Sequence, residues 1–232
     1  MIKLLAGFYT LFIVSLVRCS TQLMALNTHP NQSMNDMSPN ELTTHSYELC
    51  CNEYIAGTPD EVSESFKTWI NATLKFLSPN AQIIEIGSAF GRDAKYIESF
   101  GFAVERTDAT EAFVSLLCQK GYSAHKFNIL TDDFTASYDL VFANCVFLHF
   151  TPQELRKVFS KIYAALRTDG ILSFSLKKGE GEEWTTAKLG QPRYFCYWKL
   201  DKIQSLLEST GFVIVLSAEN DLFLQIIAKT KK

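Results

Sequence analysis

The chain has 232 residues, which is enough for one α/β domain with a sizeable core and additional ends. Hydrophobic residues make up 47% and charged residues 20% of the sequence, the composition of an ordinary globular protein. The formal net charge of −3 argues against nucleic-acid binding, because phosphate binding needs a basic face, and Lys/Arg runs are confined to the short C-terminal tail.

The six cysteines predict neither a zinc site nor a disulfide framework. They form no C-x-x-C pair, and no Cys/His spacing is typical of a metal site, so no metal is expected. The pattern indicates reduced thiols in a cytosolic protein.

Residues 4–17 form an apolar run between Lys3 and Arg18. The run is short for a membrane span but has the length of a signal-peptide core. The cleavage signal is weak, because Leu23 stands two residues before Ala25, where a small residue is expected. Three interpretations stay open: an export signal, a weak membrane anchor, or a chain that starts at a later methionine. Contact with a membrane is expected only if this run is retained.

Residues 27–40 are rich in Asn, Ser, Met and Pro without periodicity and are expected to be a linker. The folded part is expected to begin near Thr43. The sequence therefore predicts an N-terminal region, residues 1–42, and a single domain, residues 43–232, with no internal repeat.

Helical and strand patterns alternate within the predicted domain. Thr58-Pro59-Asp60-Glu61 has the features of a helix start, and helical spacing continues to Leu77. Short apolar runs predict strands at 82–86, 103–108, 123–128, 138–144 and 171–176. The helices predicted between and after them are 92–100, 111–120, one that begins at Thr151, and 199–211.

Two further apolar strands, 212–217 and 222–229, follow the last helix with a connection of hairpin length. The alternation before them predicts an α/β fold. We expect a doubly wound, seven-stranded, mostly parallel sheet with a C-terminal antiparallel hairpin strand.

The segment 83–93 runs from a strand through a glycine-bearing turn into a helix, and such glycines let the backbone approach a ligand closely. Glu85 precedes the turn. Its carboxylate would repel the pyrophosphate of a dinucleotide, but it suits a ligand that carries a sulfonium and an ammonium. The dinucleotide spacing fails as well, because Ala89 and Arg92 stand where G-x-G-x-x-G requires glycine.

Asp108 stands at the end of the second predicted strand. A carboxylate in that place can accept hydrogen bonds from both hydroxyls of a ribose. Proteins that bind NAD use the same device. Asp108 therefore indicates an adenosine-type ligand without identifying it.

From about Tyr47 to the C-terminus, the chain resembles the class I methyltransferases that depend on S-adenosylmethionine (SAM). The motifs that carry the resemblance are Glu85-Ile86-Gly87-Ser88-Ala89-Phe90-Gly91, Asp108, the strand from Asp139 to His149, and the turn and strand from Leu166 to Leu176. Ala89 replaces the family's middle glycine, and Thr168-Asp169-Gly170 replaces Pro-Gly-Gly.

The resemblance implies SAM as the cofactor and methyl transfer to a small molecule. The implied cofactor-binding residues lie in the glycine turn, at the ends of strands two to four and before the domain: Glu85, Gly87, Ser88, Ala89, Gly91, Arg92, Asp108, Ala109, Asn128, Ile129, Asn144, Tyr47 and Tyr54. Arg92 is implied to pair with the carboxylate of SAM, Asp108 to hold the ribose, and Asn144 to lie near the methyl group.

The stretch after the fifth strand resembles a run in a subgroup of uncharacterised bacterial methyltransferases. We expect it to be a loop that forms the substrate wall. The candidate substrate-binding residues are Glu180, Glu182, Trp184, Arg193 and Tyr197. The glutamates would bind a cationic substrate or be solvated, Arg193 would bind a substrate acid or pair with the glutamates, and the aromatic rings would stack on a substrate or only pack.

His149 is the candidate catalytic residue, either as a general base or in a structural role, since alignment alone suffices for many methyl transfers. Three functions stay open: methyl transfer to oxygen, nitrogen or carbon of a small molecule with release of S-adenosylhomocysteine, a SAM-fold binding protein without catalysis, and a Rossmann oxidoreductase. Glu85 and the missing glycines disfavour the last. Because SAM is a cytosolic cofactor, the domain is expected in the cytoplasm, with a membrane-anchored or exported protein as the alternatives.

Overall fold

The computed structural model describes residues 37–232. The apolar run 4–17 and most of the expected linker lie outside the described residues. No helix within residues 37–232 combines the length and the apolar character needed to cross a membrane.

Helices and strands alternate through most of this part of the chain. The helices are α1 (Pro39–Leu49), α2 (Cys51–Ala56), α3 (Glu64–Leu74), α4 (Arg92–Glu98), α5 (Glu111–Gln119), α6 (Pro152–Ala165) and α7 (Leu200–Ser209). The strands are β1 (Ile83–Ile86), β2 (Val104–Asp108), β3 (Ala124–Lys126), β4 (Tyr138–Ala143), β5 (Leu166–Lys178), β6 (Gly181–Thr185), β7 (Arg193–Trp198), β8 (Phe212–Glu219) and β9 (Phe223–Thr230).

The nine described strands form one sheet. Seven of them follow the order β3-β2-β1-β4-β5-β9-β8, in which β1 to β5 are parallel and β9 is antiparallel to both of its neighbours. The other two strands, β6 and β7, form an antiparallel hairpin that joins the sheet where β7 pairs with Lys177 and Lys178 at the end of β5. The predicted α/β fold is confirmed, and the strand count is nine rather than seven because of this hairpin.

Both faces of the sheet are buried, as β4 shows. Leu140 and Phe142 lie in one hydrophobic cluster with residues of α3 and α4, whereas Val141 and Ala143 lie in a second cluster with residues of α6 and α7. Because successive side chains of a strand point to opposite faces, helices cover the sheet on both sides. This layering leaves the carboxyl ends of the parallel strands as the open edge of the domain.

Helix α1 begins inside the segment that the sequence predicted to be a linker. The side chain of Ser38 accepts a hydrogen bond from the backbone N–H of Glu41 at 3.2 Å, and the Glu41 carboxylate accepts one from the Ser38 N–H at 2.8 Å. This reciprocal capping box, followed by Pro39, fixes the start of the helix. The expected start of the folded part near Thr43 therefore falls inside a helix.

The helix predicted to start at Thr58 begins six residues later. The Thr58 hydroxyl donates to the carbonyl of Tyr54, the residue four positions earlier, so Thr58 closes the preceding turn. Helix α3 begins at Glu64, with Ser63 as its N-cap residue in an extended conformation. The apparent start signal of the sequence thus belongs to the connection between two helices.

Candidate functional site

A cavity lies at the carboxyl ends of the parallel strands, and residues of α1 form one of its walls. Nine of the predicted cofactor-binding residues line it: Tyr47, Tyr54, Gly87, Ala89, Asp108, Ala109, Asn128, Ile129 and Asn144.

Gly87 and Ala89, in the turn after β1, both lie in the left-handed backbone region. Gly87 has φ +71°, and a Cβ atom on it would lie 2.5 Å from Cγ2 of Val146, so no side chain fits there. Ala89 has φ +48°, a conformation that costs a non-glycine residue about 1–2 kcal/mol. Its N–H donates to the Asp108 carboxylate at 2.9 Å, and this bond holds the turn in place.

Asp108 is buried and already accepts three hydrogen bonds. Oδ1 accepts from the backbone N–H of Thr110 at 2.9 Å and from its hydroxyl at 2.7 Å, and Oδ2 accepts from Ala89. A carboxylate has roughly four acceptor positions, so one remains, on Oδ2. Asp108 can therefore accept one ribose hydroxyl without losing a partner, where the sequence led us to expect two. Burial raises the pKa of this carboxyl.

Asn128 is held by hydrogen bonds at the end of β3. Its Oδ1 accepts from the N–H of Leu130 at 3.1 Å, and its Nδ2 donates to Oδ1 of Asn40 at 3.0 Å. Asn40 belongs to α1 and lines the same cavity, but the sequence placed it in the linker. A capping-box search would have found its helix.

Glu85 and Gly91 line neither this cavity nor the one described next, although the resemblance implied both as cofactor-binding residues. Glu85 is 2% exposed, and its Oε2 has no hydrogen-bond partner among residues 37–232. Burial and the neighbouring Asp93 carboxylate raise its pKa well above the usual range. Gly91 precedes α4, and a Cβ there would lie 2.8 Å from Cδ2 of Leu117, so this glycine allows α4 to pack against α5.

A second cavity continues from the first towards the β6–β7 hairpin. The two share the wall formed by Tyr47, Tyr54, Gly87, Ala89, Asn144, Cys145 and His149. Ser88 and Arg92 line only the second cavity. Nε of Arg92 donates to Oδ1 of Asp93 at 2.8 Å, and Oδ2 of Asp93 accepts from Nδ2 of Asn144 at 2.7 Å. Arg92 therefore already has a carboxylate partner.

Arg193 is the one candidate substrate-binding residue of the five that lines the second cavity. Glu182 and Trp184 alternate with the cavity-facing positions of β6, and the Trp184 ring packs against Tyr194 with centroids 5.6 Å apart. Glu180 pairs with Lys199, and the Tyr197 hydroxyl donates to the Glu183 carboxylate. The stretch expected to be a loop is a hairpin, and the period of two residues in its strands decides which side chains face the cavity.

The residues of the second cavity that the sequence did not single out include Lys177, Thr185 and Lys188. Within the hairpin, Glu183 pairs with Phe195 and Thr185 with Arg193, and all four line the cavity. A prediction of two strands across residues 181–198 would have placed them on one face.

His149 has both ring nitrogens engaged. Nδ1 lies 2.7 Å from the carbonyl oxygen of Tyr194, which can only accept, so Nδ1 carries the proton and Nε2 accepts from the Tyr47 hydroxyl at 2.9 Å. The Tyr47 oxygen in turn accepts from Nη1 of Arg193 at 3.1 Å. Burial, together with the positive charges of Arg193 and Lys177, lowers the pKa of His149 to about 3. The imidazole is therefore neutral, and its acceptor nitrogen already has a donor.

The sequence of residues 84–174 matches the family model described as a methyltransferase domain. A search of curated proteins found no match to the chain.

Solved structures with the same fold include three methyltransferases. One is the 1,6-didemethyltoxoflavin-N1-methyltransferase of Burkholderia thailandensis, solved with 1,6-didemethyltoxoflavin and S-adenosylhomocysteine. Its sequence is 18% identical to this chain, the TM-score is 0.66, and the match covers 84% of this chain and 92% of that one. Another is the magnesium protoporphyrin IX methyltransferase of Synechocystis PCC 6803, solved with SAM. It is 14% identical with a TM-score of 0.66, and the match covers 87% of this chain and 100% of that one. A SAM-dependent methyltransferase of Mesorhizobium loti is 14% identical with a TM-score of 0.57, covering 68% and 96%. At these identities the likeness establishes the fold.

Proposed function

We propose a reaction for this chain, which carries the methyltransferase domain and the fold of the class I SAM-dependent methyltransferases. The predicted family and SAM as its cofactor are thereby confirmed. The proposed reaction is transfer of a methyl group from SAM to a nucleophilic atom of a small molecule, with release of S-adenosylhomocysteine.

The observation that carries the proposal is the wall that the two cavities share. The first cavity contains Asp108 and Asn128, which suit the ribose and adenine of a nucleoside, and the second opens towards the hairpin. Gly87 and Asn144 line both. A methyl donor in the first cavity and an acceptor in the second would therefore meet at these residues, which is the alignment that methyl transfer requires.

The residues of the first cavity fit SAM by their chemistry. Asp108 retains an acceptor position on Oδ2 for a ribose hydroxyl, and Gly87 leaves a place in the wall that no side chain can fill without meeting Val146. Tyr47 and Tyr54 form the wall on the α1–α2 side. When bound, SAM supplies an electrophilic methyl group on a positively charged sulfur.

The reaction forms one bond and breaks one bond. The lone pair of the nucleophile forms the new bond to the methyl carbon, the carbon–sulfur bond breaks, and its electron pair remains on sulfur. Any proton on the nucleophile must leave. Because His149 has a pKa near 3 and its Nε2 already accepts from Tyr47, we assign it a positioning role, holding Tyr47 in the shared wall. The chain then acts by orienting the reactants and excluding water.

Calorimetric titration with SAM, S-adenosylhomocysteine and NADH tests this proposal, using the wild-type chain and the variants Asp108→Asn and Asp139→Asn. Asp139 is a matched control, since it stands near the amino end of β4, whereas the cavities lie at the carboxyl ends of the strands. It accepts hydrogen bonds from the backbone N–H of Gln82 and from Arg167. We expect SAM binding that weakens by about tenfold or more in Asp108→Asn, because an acceptor for charge-assisted hydrogen bonds is lost. The control should bind normally, and NADH should give no heat.

Absence of SAM binding, or equal binding by both variants, would contradict the cofactor site. Turnover is tested separately by incubating the chain with SAM and a pool of metabolites and measuring S-adenosylhomocysteine. SAM binding without product from any pool would favour a binding protein without catalysis.

We also place the domain in the cytoplasm, because SAM is a cytosolic cofactor. A fusion of residues 1–26 to an export reporter tests this placement. We expect the reporter to remain inside the cell, and its export would contradict the proposal.

A further inference from the structure

The walls of the second cavity contain more positive than negative side chains. Four cations line it, Arg92, Lys177, Lys188 and Arg193, against the carboxylates of Asp93 and Glu183. Asp93 is already paired with Arg92, and Glu183 accepts a hydrogen bond from Tyr197. The remaining cations have no carboxylate within 4.0 Å in the described part of the chain.

Arg193 is the most buried of these cations, at 6% exposure. Its guanidinium has five N–H donors. Nη1 donates to the Tyr47 hydroxyl at 3.1 Å, whereas Nε is buried and has no partner among residues 37–232. A buried cation without a counter-charge is unfavourable, and a planar guanidinium with free donors matches the two oxygens of an oxyanion.

Lys177 and Arg193 both contact the ring of Phe195. The Lys177 ammonium lies 4.4 Å and the Arg193 guanidinium carbon 5.1 Å from the centroid of Phe195. Both positive charges also lower the pKa of His149. Lys177 and Arg193 thus both present positive charge to the second cavity close to His149, a residue of the shared wall.

Lys188 and Arg92 are the other two cations of the cavity. The Lys188 ammonium donates to the Thr58 hydroxyl at 2.6 Å and lies 4.1 Å from the centroid of Tyr54. Burial and the nearby Arg193 and Arg92 lower its pKa. Arg92 already pairs with Asp93, whereas Lys188 has no carboxylate within 4.0 Å in the described part of the chain, so Lys188 can take the carboxylate of SAM and leave Lys177 and Arg193 for the acceptor.

We propose that the methyl acceptor is a small aromatic or planar oxyanion whose charged oxygens pair with Arg193 and Lys177 while its apolar part packs against the aromatic side chains that line the cavity. The inference rests on the proposed methyltransferase function and adds the substrate class to it. A carboxylate and a phosphate ester share the required chemistry. A cationic substrate is disfavoured, because Glu180 and Glu182 do not line the cavity and Glu183 is engaged by Tyr197.

Ligand-observed NMR on the full chain saturated with S-adenosylhomocysteine tests the proposal, using benzoate, phenyl phosphate and neutral benzamide at millimolar concentration. We expect at least one anion to bind about tenfold or more tightly than benzamide, because charge-assisted hydrogen bonds form only with the anions. The tighter of the two identifies the oxyanion as a carboxylate or a phosphate. Equal binding of the three probes, or binding of benzamide alone, would overturn the proposal.

Two variants and one control locate the contact. Arg193→Gln and Lys177→Gln should each weaken binding of the anionic probe by about tenfold, while benzamide is unaffected. Lys178→Gln is the matched control, since Lys178 follows Lys177 along β5, is exposed and pairs with Glu219. Anion binding that is unchanged in both cavity variants would overturn the assignment.

A separate titration with S-adenosylhomocysteine distinguishes an error in the substrate class from an error in the methyltransferase function. If the chain binds S-adenosylhomocysteine but does not discriminate between benzoate, phenyl phosphate and benzamide, the substrate class is wrong and the methyltransferase proposal stands. If it binds the anions through Arg193 but does not bind S-adenosylhomocysteine, the methyltransferase proposal fails. The binding data for Arg193→Gln are used only if the circular dichroism spectrum of this variant matches that of the wild type. If it does not match, Lys177→Gln supplies the test.

Discussion

The hydroxyl of Tyr47 donates to Nε2 of His149 across 2.9 Å, and this hydrogen bond joins helix α1 to the turn that follows β4. The imidazole is held from its other side by the carbonyl of Tyr194 in the hairpin. A single neutral histidine therefore connects three parts of the site.

The first prediction concerns acid stability. The pKa of His149 is lowered to about 3, whereas an unfolded histidine titrates near 6.5, so below pH 6.5 the unfolded state binds the proton and the native state does not. The stability from this group is present above that pH and declines as the pH falls towards 3. We expect His149 alone to remove about 2 kcal/mol from the free energy of unfolding between pH 7 and pH 5.

Urea unfolding at the two pH values measures this effect in the wild type, His149→Gln and His125→Gln. His125 is half exposed and serves as the control. The pH dependence should shrink by about 2 kcal/mol only in the first variant. The same slope in all three proteins would show that His149 is not a buried neutral group.

The second prediction separates backbone strain from lost space at Gly87. Gly87→Ala and Gly101→Ala both place a side chain at positive φ, +71° and +88°, but only the first brings Cβ within 2.5 Å of Val146, while Gly101 has no atom within 4 Å. Each variant should lose about 1–2 kcal/mol of stability from the left-handed conformation. SAM affinity should fall only in Gly87→Ala, because its turn must shift.

Calorimetry with SAM and thermal unfolding check this pair of variants. The double variant Gly87→Ala/Val146→Ala should regain part of the affinity, because it removes the atom that the new Cβ meets. If Gly101→Ala weakens SAM binding as much as Gly87→Ala, the effect is one of general destabilisation.

The third prediction concerns Ala89, which stands where the family pattern has glycine. Its φ of +48° is strained for alanine. The backbone N–H at this position can donate a hydrogen bond to Asp108 whether the residue is alanine or glycine. Ala89→Gly should raise the stability by up to about 1 kcal/mol, since the relief of strain exceeds the added entropy of the unfolded chain. SAM affinity should stay within about threefold of the wild type, a free-energy change below 1 kcal/mol. A large gain in affinity would mean that alanine impairs the cofactor site.

The fourth prediction concerns the attachment of α1. The Glu48 carboxylate accepts from the backbone N–H groups of Glu111 and Ala112 at 2.7 and 3.0 Å, so α1 caps the first turn of α5. Glu48→Gln should loosen α1 and raise the SAM dissociation rate by up to about tenfold, the loss of one charge-assisted bond. Glu53→Gln is the control, because Glu53 is exposed on α2.

A chase of bound radiolabelled SAM with excess S-adenosylhomocysteine measures the release rate. Equal rates in the two glutamate variants would show that the α1 contact does not limit release.

Features set by local sequence were predictable. The capping box of Thr151 and Glu154 begins α6 where the sequence indicated, and the apolar strand β4 is buried on both faces as its composition required. Asp108 lies at the end of β2 and lines the first cavity, because the carboxyl ends of parallel strands share one edge of the sheet.

Features that depend on tertiary contacts were not predictable. The side chain of Glu85 is buried outside both cavities, and neither its charge nor its position in the motif reveals this. The β6–β7 hairpin was expected to be a loop at the carboxyl ends of the strands, so the alternation of its side chains was not used. The remaining role predictions for individual residues stay predictions until binding is measured.

The β6–β7 hairpin joins the sheet through only two residues of β5, Lys177 and Lys178, yet it contributes Glu183, Arg193 and Phe195 to the acceptor side. The groups that suit the nucleoside come from other elements, at the ends of β2 and β3. Substitutions at the cavity-facing positions of the hairpin can therefore change which molecules are accepted. The hairpin also holds α1, because the N–H of Tyr194 donates to the Thr43 hydroxyl and Arg193 donates to that of Tyr47, so a hairpin transplanted from one protein to another must bring the matching α1 residues with it.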